Sequence, residues 1–420
     1  MNALLGGSRA PSRDAKKCPE SFRGKFLKHR AAERTIHLAA GGGMLLGLVA
    51  FGGTAFAAEN ANNPEQSYRT VIDAVARGVP GLQAYVRQGK SRWTGISGVA
   101  SVEKSTAMDL TRRIRLASIT KLMTYATVME LVKAGRFQLS DRASTLLTPG
   151  ALDGIPFGNE ITVEQLLDHT SGLHNFNGED SGDFFTDLFL DPRRGTRLWT
   201  AGELLVYAKK TQHRPTGRPG EKKSYSSTGF VVLEMILENV ERKPFPQLFR
   251  EHLFEPLGMK SAGVEGTDFG AHEIVDSYAR PARFEAQASP FTGRKPVRPD
   301  GLVNLSAGLA NYNAWARAAG AVAANIDDLA KFMEAVQEGR FTVLRDQAVE
   351  FARLRQTPNR YLDWNGGSWG IQATVLFEPS RDLTVIVLTN ASHSGPGSHD
   401  IAKSLLTTAR ETPASALTSN

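Results

Sequence analysis

The chain has 420 residues, 41% of them apolar and 22% charged, with a formal net charge of +7. This mixture belongs to a globular protein of one large domain or two lobes, and it excludes disorder, a collagen-like repeat and a multi-span membrane protein. The charge does not mark a nucleic-acid binder. Residues 1–35 hold nine Lys/Arg against Asp14, Glu20 and Glu33, leaving 41 basic and 40 acidic residues in the remainder, with no basic stripe to track phosphates.

Lys28, Arg30 and Arg34 precede an uncharged run from Thr35 to Ala58 that closes on Ala55-Phe56-Ala57. A basic region, an apolar region and a small-residue site in that order predict a basic leader and secretory signal peptide over 1–57. The run is also long enough for a retained membrane anchor, although Gly41, Gly42, Gly43, Gly47, Gly52 and Gly53 lower its hydrophobicity. Either expectation puts the body in the periplasm or outside the cell. The single cysteine, Cys18, precedes this run, so the body has no disulfide, cysteine zinc cluster or catalytic thiol.

Residues 58–68 are polar and read as a linker, 69–410 as one hydrolase-sized domain and 411–420 as a tail. Gly81–Arg87 and Arg92–Ile96 read as strands around a turn at Gly89. A helical spacing of Leu122, Met123, Ala126, Met129 and Val132 stops at Gly135. The chain then reads as mostly helical to about residue 260, with helices over Thr228–Asn239 and Phe245–Phe254. Glu265–Pro299 reads as loop or edge strand. Ile326–Glu338 reads as a helix with an acidic first turn. Ile371–Phe377 and Leu383–Leu388 form a buried hairpin about a turn at Pro379–Asp382, and a last helix covers Asp400–Arg410. The expected fold class is α+β. An antiparallel sheet is built from both termini and flanked by helices, and an all-helical lobe is inserted in the middle.

Ser118-Ile119-Thr120-Lys121 sits at the start of the apolar-periodic helix that stops at Gly135. Residues at i and i+3 share a helix face, so the hydroxyl and the amine can touch. A serine needs a base within hydrogen-bond reach to act as a nucleophile. A lysine held from water can lose enough basicity to serve, and a helix N-terminus offers N–H groups to an oxyanion. On spacing alone, the bland reading is a capping serine beside a solvated lysine.

The surrounding residues extend the pattern. Ala117–Lys121 is followed by Ala134-Gly135-Arg136-Phe137-Gln138-Leu139-Ser140-Asp141 and by Ile161-Thr162-Val163-Glu164-Gln165-Leu166-Leu167-Asp168-His169-Thr170-Ser171-Gly172-Leu173. Then come Pro219-Gly220 before Tyr225-Ser226-Ser227, Phe254-Glu255-Pro256-Leu257-Gly258-Met259, and Ala319-Gly320. From about Gly81 to Asn390 the chain resembles the serine β-lactamase and DD-peptidase superfamily. The similarity is to the branch of class C β-lactamases, D-Ala-D-Ala carboxypeptidases and β-lactamase-like esterases. The resemblance implies a β-lactamase/transpeptidase-like fold and catalysis by Ser118, Lys121 and Tyr225 without metal or cofactor. It implies an oxyanion hole of the Ser118 and Gly367 N–H groups. It also implies substrate-binding positions at Ser227, Trp364, Asn365 and Gly366.

Two departures stand out. Ser227 replaces the asparagine of the family's Y-x-N motif. Trp364-Asn365-Gly366 replaces a Lys-Thr-Gly or His-Thr-Gly, so the cation that attracts a substrate carboxylate is missing. Trp364 looks like the esterase branch. The expected function is thus an exported serine acyl-hydrolase acting on a small ester or peptide, an esterase or D-Ala-D-Ala carboxypeptidase-like peptidase. A β-lactamase and a non-catalytic binder of penicillin or cell-wall peptide on the same scaffold are the alternatives.

Other signals carry less. Gly366-Gly367-Ser368-Trp369-Gly370 fits the G-x-S-x-G elbow, with Asp382 and His393 following in order, but that elbow needs a helix after its serine. His169 and His174 lack a third metal ligand, and the histidine reads as bonding a neighbouring loop. Glu179, Asp180, Asp183 and Asp187 lack EF-hand spacing and read as a solvated loop.

Overall fold

The computed structural model describes residues 64–75, 78–178, 184, 187–188, 197–210, 214–280, 295–307, 311–392 and 396–412. The expected signal segment and most of the tail lie outside these residues, as do Glu179, Asp180, Asp183 and His393.

The first described element, α1 (Pro64–Val75), corrects the expected linker. Residues 64–68 are already helical, and Tyr68 and Ile72, one turn apart, are fully buried. With Val71 and Val75 they repeat at helical spacing, across the expected boundary at residue 68.

Strands β1 (Gly81–Gln88), β2 (Ser91–Ser101) and β3 (Thr106–Ala107) come from the N-terminal part of the domain. Strands β4 (Leu362–Ser368), β5 (Ile371–Glu378) and β6 (Leu383–Thr389) come from the C-terminal part. They form one six-stranded sheet in the order β3-β2-β1-β6-β5-β4. The junction is antiparallel, with Leu82 opposite Thr389 and Val86 opposite Val385. The sheet from both termini is therefore present as expected.

The sheet is buried on both faces, which is why β1 and β6 read as near-continuous apolar runs. Alternate side chains feed two cores. Leu82, Ala84, Val86, Val385 and Val387 pack against Tyr68 and Ile72 of α1 and against Ile401, Leu405 and Leu406 of the last helix. Tyr85, Val375, Phe377, Ile386 and Leu388 face the opposite core.

That opposite core holds Leu122, Met123 and Ala126 of α2 (Thr120–Lys133). Residues Tyr125, Val128 and Leu131 of the same helix enter a separate, all-helical core with Leu166, Leu205, Phe230, Leu233 and Leu237. A helix apolar on every side must be buried on every side. So α2 is the wall between the sheet and the inserted lobe. The lobe is built from α3 (Ala201–Lys209) and α4 (Ser227–Glu241), with shorter turns between. The chain returns through α5 (Ile326–Gln337), where Asn325 caps the Asp328 N–H, and ends in α6 (Ser398–Glu411). The expected helix over Phe245–Phe254 begins as an α-turn and finishes as a wider π-turn at Arg250–Phe254. Among the described residues, no helix is long and apolar enough to cross a membrane.

Candidate active site

Ser118 sits in the 3-10 turn Ala117–Ile119 that feeds α2. The strand pair before it is tied down firmly. Ile114–Arg115 pairs with Val322–Ala324, and the Leu116 N–H donates to the Val322 carbonyl at 2.9 Å. Arg115 is fully buried. Its guanidinium meets Glu265 in a two-bond fork at 2.7 and 2.8 Å, and it donates further to Val275 O and Ser277 Oγ. Forked pairing of this kind fixes orientation as well as charge. The anchoring holds Ala117 at φ 46°, a left-handed conformation that an alanine avoids. Such a residue costs on the order of 1–3 kcal/mol and marks a turn that its surroundings impose.

Lys121 is buried, and its amine donates to Ser118 Oγ at 3.2 Å and to the Ala319 carbonyl at 2.6 Å. It also lies 5.0 Å from the Tyr225 ring centre and 5.5 Å from that of Phe230, within cation–π range. Tyr225 precedes α4 and is half exposed, yet its hydroxyl turns inward and donates to Ser118 Oγ at 2.7 Å. Burial pushes this phenol up. The Lys121 charge, with hydrogen bonds from Lys121, Ser118 and Ser227, outweighs burial and leaves it below its ordinary value. Two groups, one from the same turn and one from a distant stretch of chain, thus converge on Ser118 Oγ.

Ser227 begins α4, where helix N–H groups lack partners inside the helix. Its N–H is taken by Asn175 Oδ1 at 2.8 Å, and its own hydroxyl serves Tyr225. Thr228 Oγ1 donates to the His174 carbonyl and accepts from the Phe176 N–H. The loop over 174–176 is thereby laced to the start of α4.

His169 packs beneath Tyr225, with ring centres 4.6 Å apart, and against Phe230 at 5.3 Å. Its Nδ1 accepts the Ser226 N–H at 3.2 Å, so in the neutral ring Nε2 carries the proton. Burial, then the charges of Lys121 and Lys223, push the imidazole down to about 4. It is neutral at physiological pH. Among the described residues, no group of three His, Cys, Asp or Glu side chains is arranged to hold a metal.

The opposite wall is β4, the edge strand of the sheet. Gly366 lies against the nucleophile turn, since a Cβ there would stand 3.1 Å from Ser118 N and 2.3 Å from Leu116 O. Gly367 is exposed, and a Cβ on it would meet nothing within 4 Å. Residues two apart share a strand face, so Trp364 lies on the Gly366 face, where it packs at the margin of the sheet core. Asn365 is on the other face. Its amide donates to Asp363 Oδ1 and accepts from Thr374 Oγ1 at 2.8 Å. Ser368 ends β4 opposite Ile371, and a two-residue turn follows rather than a helix. The elbow reading of Ser368 fails for that reason.

Comparison with known protein families matches residues 67–409 to the family described as Beta-lactamase. The chain belongs to that family. Among curated relatives, the D-alanyl-D-alanine-carboxypeptidase/endopeptidase AmpH of Escherichia coli (strain K12) is 32% identical over 183 residues, 44% of this chain and 45% of AmpH. The chain thus spans less than half the length of that relative. Among solved structures, a D-stereospecific amidohydrolase from Streptomyces sp. superposes with a TM-score of 0.62 at 24% identity, over 80% of this chain and 97% of that one. The hydrolase with promiscuous acyltransferase activity EstCE1 does so with a TM-score of 0.60 at 20% identity, over 81% and 99%. At these identities the superpositions establish the shared β-lactamase/penicillin-binding-protein fold.

Proposed function

We propose that this member of the Beta-lactamase family is a serine acyl-hydrolase working through an acyl-enzyme on Ser118. The observation that carries this reading is the convergence of Tyr225 OH, at 2.7 Å, and Lys121 Nζ, at 3.2 Å, on Ser118 Oγ. With Tyr225 ionised beside the Lys121 cation, the phenolate takes the Ser118 proton as Oγ attacks the substrate carbonyl. The Ser118 and Gly367 N–H groups receive the developing oxyanion. Collapse of the adduct expels the leaving group, which takes its proton from Tyr225. Water then attacks the acyl-enzyme and gives a proton to Tyr225, and Ser118 leaves with one. Every proton in the cycle moves between oxygen or nitrogen atoms already present, so the scheme asks for no cofactor.

Substrates are small esters, amides or peptides with little dependence on a free carboxylate. Trp364 supports this, because it stands where a cation would attract that carboxylate. The names of the relatives, a carboxypeptidase, an amidohydrolase and an acyl-transferring hydrolase, are in keeping with acyl chemistry. β-Lactam hydrolysis ranks below ester and amide hydrolysis on the same ground. We also propose export, on the order of basic, apolar and small-residue stretches before Ala57. N-terminal sequencing of the protein recovered outside the cytoplasm tests it, and a retained leader would sink the cleavage.

The test of the activity is turnover of p-nitrophenyl acetate and of nitrocefin by the protein and by Ser118→Ala. Ester turnover lost in the variant is expected. Nitrocefin turned over more efficiently than the ester would reverse the substrate ranking. Folded protein that never acylates Ser118 would overturn the enzyme reading.

A further inference from the structure

The shortest contact of the Lys121 amine is with the Ala319 carbonyl, at 2.6 Å, rather than with Ser118. A backbone carbonyl can orient an amine only if its own segment is held. Residues 314–319 form an irregular 3-10 stretch with a kink at Arg317, φ 45° and ψ −138°. A non-glycine residue does not keep that conformation unless its neighbours enforce it.

The enforcing group is Glu234. It is fully buried on α4, and its two carboxylate oxygens divide the work. One pairs with the Arg317 guanidinium, and the other accepts the Ala318 N–H at 3.0 Å. Arg317 also donates to the Trp199 carbonyl at 2.7 Å and lies 5.1 Å from the Phe245 ring centre. On the far side, the Ala318 carbonyl accepts from Thr124 Oγ1 at 2.6 Å, one turn beyond Lys121 on α2. The kinked segment is therefore gripped from α4 and from α2. The helix that carries Glu234 begins at Ser227, two residues after Tyr225. Glu234 thus shares a helix with Ser227, while it holds the segment whose carbonyl aims the amine.

We propose that Glu234 and Arg317 are positioning residues that clamp the Ala319 carbonyl and so hold the Lys121 amine between Ser118 and Tyr225. Neither touches substrate. The inference rests on the acyl-hydrolase reading above. The clamp sets the geometry of the step in which Ser118 is acylated, and leaves the substrate groove untouched. An ångström of drift in a proton-handling group costs on the order of a hundredfold in rate.

The experiment is steady-state turnover of p-nitrophenyl acetate by the full chain, with Glu234→Gln, Arg317→Lys and Glu241→Gln compared by kcat, KM and thermal melting. Glu241 is on the same helix and pairs with Arg136 at the surface, so it controls for a general loss of helix charge. The expected result is a fall in kcat of roughly ten- to a hundredfold for Glu234→Gln with KM changed less than about threefold. Arg317→Lys, which keeps the charge but loses the fork, is expected to fall between wild type and Glu234→Gln. Glu241→Gln is expected to match wild type. A folded Glu234→Gln with wild-type kcat would overturn the clamp and leave the acyl-hydrolase reading standing. If Glu234→Gln does not fold, Arg317→Lys decides alone, and wild-type kcat there overturns the clamp. A folded wild type with no Ser118-dependent turnover would overturn the acyl-hydrolase reading, and the clamp with it.

Discussion

Gly366 and Ser118 are in backbone contact range: a methyl group on Gly366 would come within 3.1 Å of Ser118 N and 2.3 Å of Leu116 O. The edge strand can lie along the nucleophile turn only because that position has no side chain. Gly366→Ala must push β4 away or distort the turn, an overpacking cost of about 1–3 kcal/mol. Gly367→Ala meets no atom within 4 Å and is expected to melt near wild type. Thermal melts of the two variants test this, together with p-nitrophenyl acetate turnover for Gly366→Ala, which should fall at least in proportion to its loss of stability. Equal melting of the two variants would mean that the strand yields freely.

Removing the Tyr225 hydroxyl removes a proton acceptor and a hydrogen bond, and leaves the ring packing on His169. Tyr225→Phe is expected to lose roughly a hundredfold or more in kcat, the range for a general base, with little change in KM. The phenol lies below its ordinary value because Lys121 and its hydrogen bonds outweigh burial. Wild-type kcat/KM should therefore rise with pH on a limb placed below the usual tyrosine range, and Lys121→Met should move that limb upward. A pH profile unaltered by Lys121→Met would remove Tyr225 from the base role.

Much of this arrangement was legible in the sequence. The hairpin over 371–388 and the helix after Ser118 announce themselves by periodicity, and Ser118 and Lys121 by a spacing that only a helix turns into contact. Tyr225 was reachable only through resemblance, since nothing in the spacing ties it to a serine 107 residues away. The Ala319 carbonyl left no signal, because any residue supplies one. Glu234 and Arg317 are 83 positions apart, and an ion pair formed by tertiary packing has no local pattern. The motif names the position of Asn365, whereas strand alternation decides which face its side chain takes. The start of α1 is the polar stretch Pro64–Ser67, which lies ahead of the helical spacing of Tyr68, Val71, Ile72 and Val75.

Trp364 lies on the nucleophile side of the edge strand without a charge. Trp364→Lys would place a cation where an incoming carboxylate passes. A charge-assisted hydrogen bond contributes about 1.5–3 kcal/mol, hence a gain of roughly ten- to a hundredfold if made in the transition state. The expected outcome is a rise of that size in kcat/KM for nitrocefin relative to p-nitrophenyl acetate, with melting checked for the lost packing. A folded variant whose ratio stays at the wild-type value would show that Trp364 does not set the preference for neutral substrates.

Stability should carry opposed signatures from two groups near the site, one buried and one partly buried. Burial, against the pull of Arg317 and with help from Glu238, pushes the Glu234 carboxyl from its ordinary 4.5 up to about 7. The folded protein binds that proton more tightly than the unfolded chain does. The contribution is therefore full below about 4.5 and is lost as pH rises through about 7. His169 is displaced the other way, from 6.5 to about 4. Its contribution is full above about 6.5 and is lost as pH falls through about 4. Urea midpoints measured across this window for wild type, Glu234→Gln and His169→Asn separate the two. Relative to wild type, Glu234→Gln should gain stability as pH rises from 4.5 to 7, and His169→Asn should gain it as pH falls from 6.5 to 4. Variants whose midpoints run parallel to wild type throughout would mean that neither group titrates differently on folding, and the neutral His169 beneath Tyr225 would lose its footing.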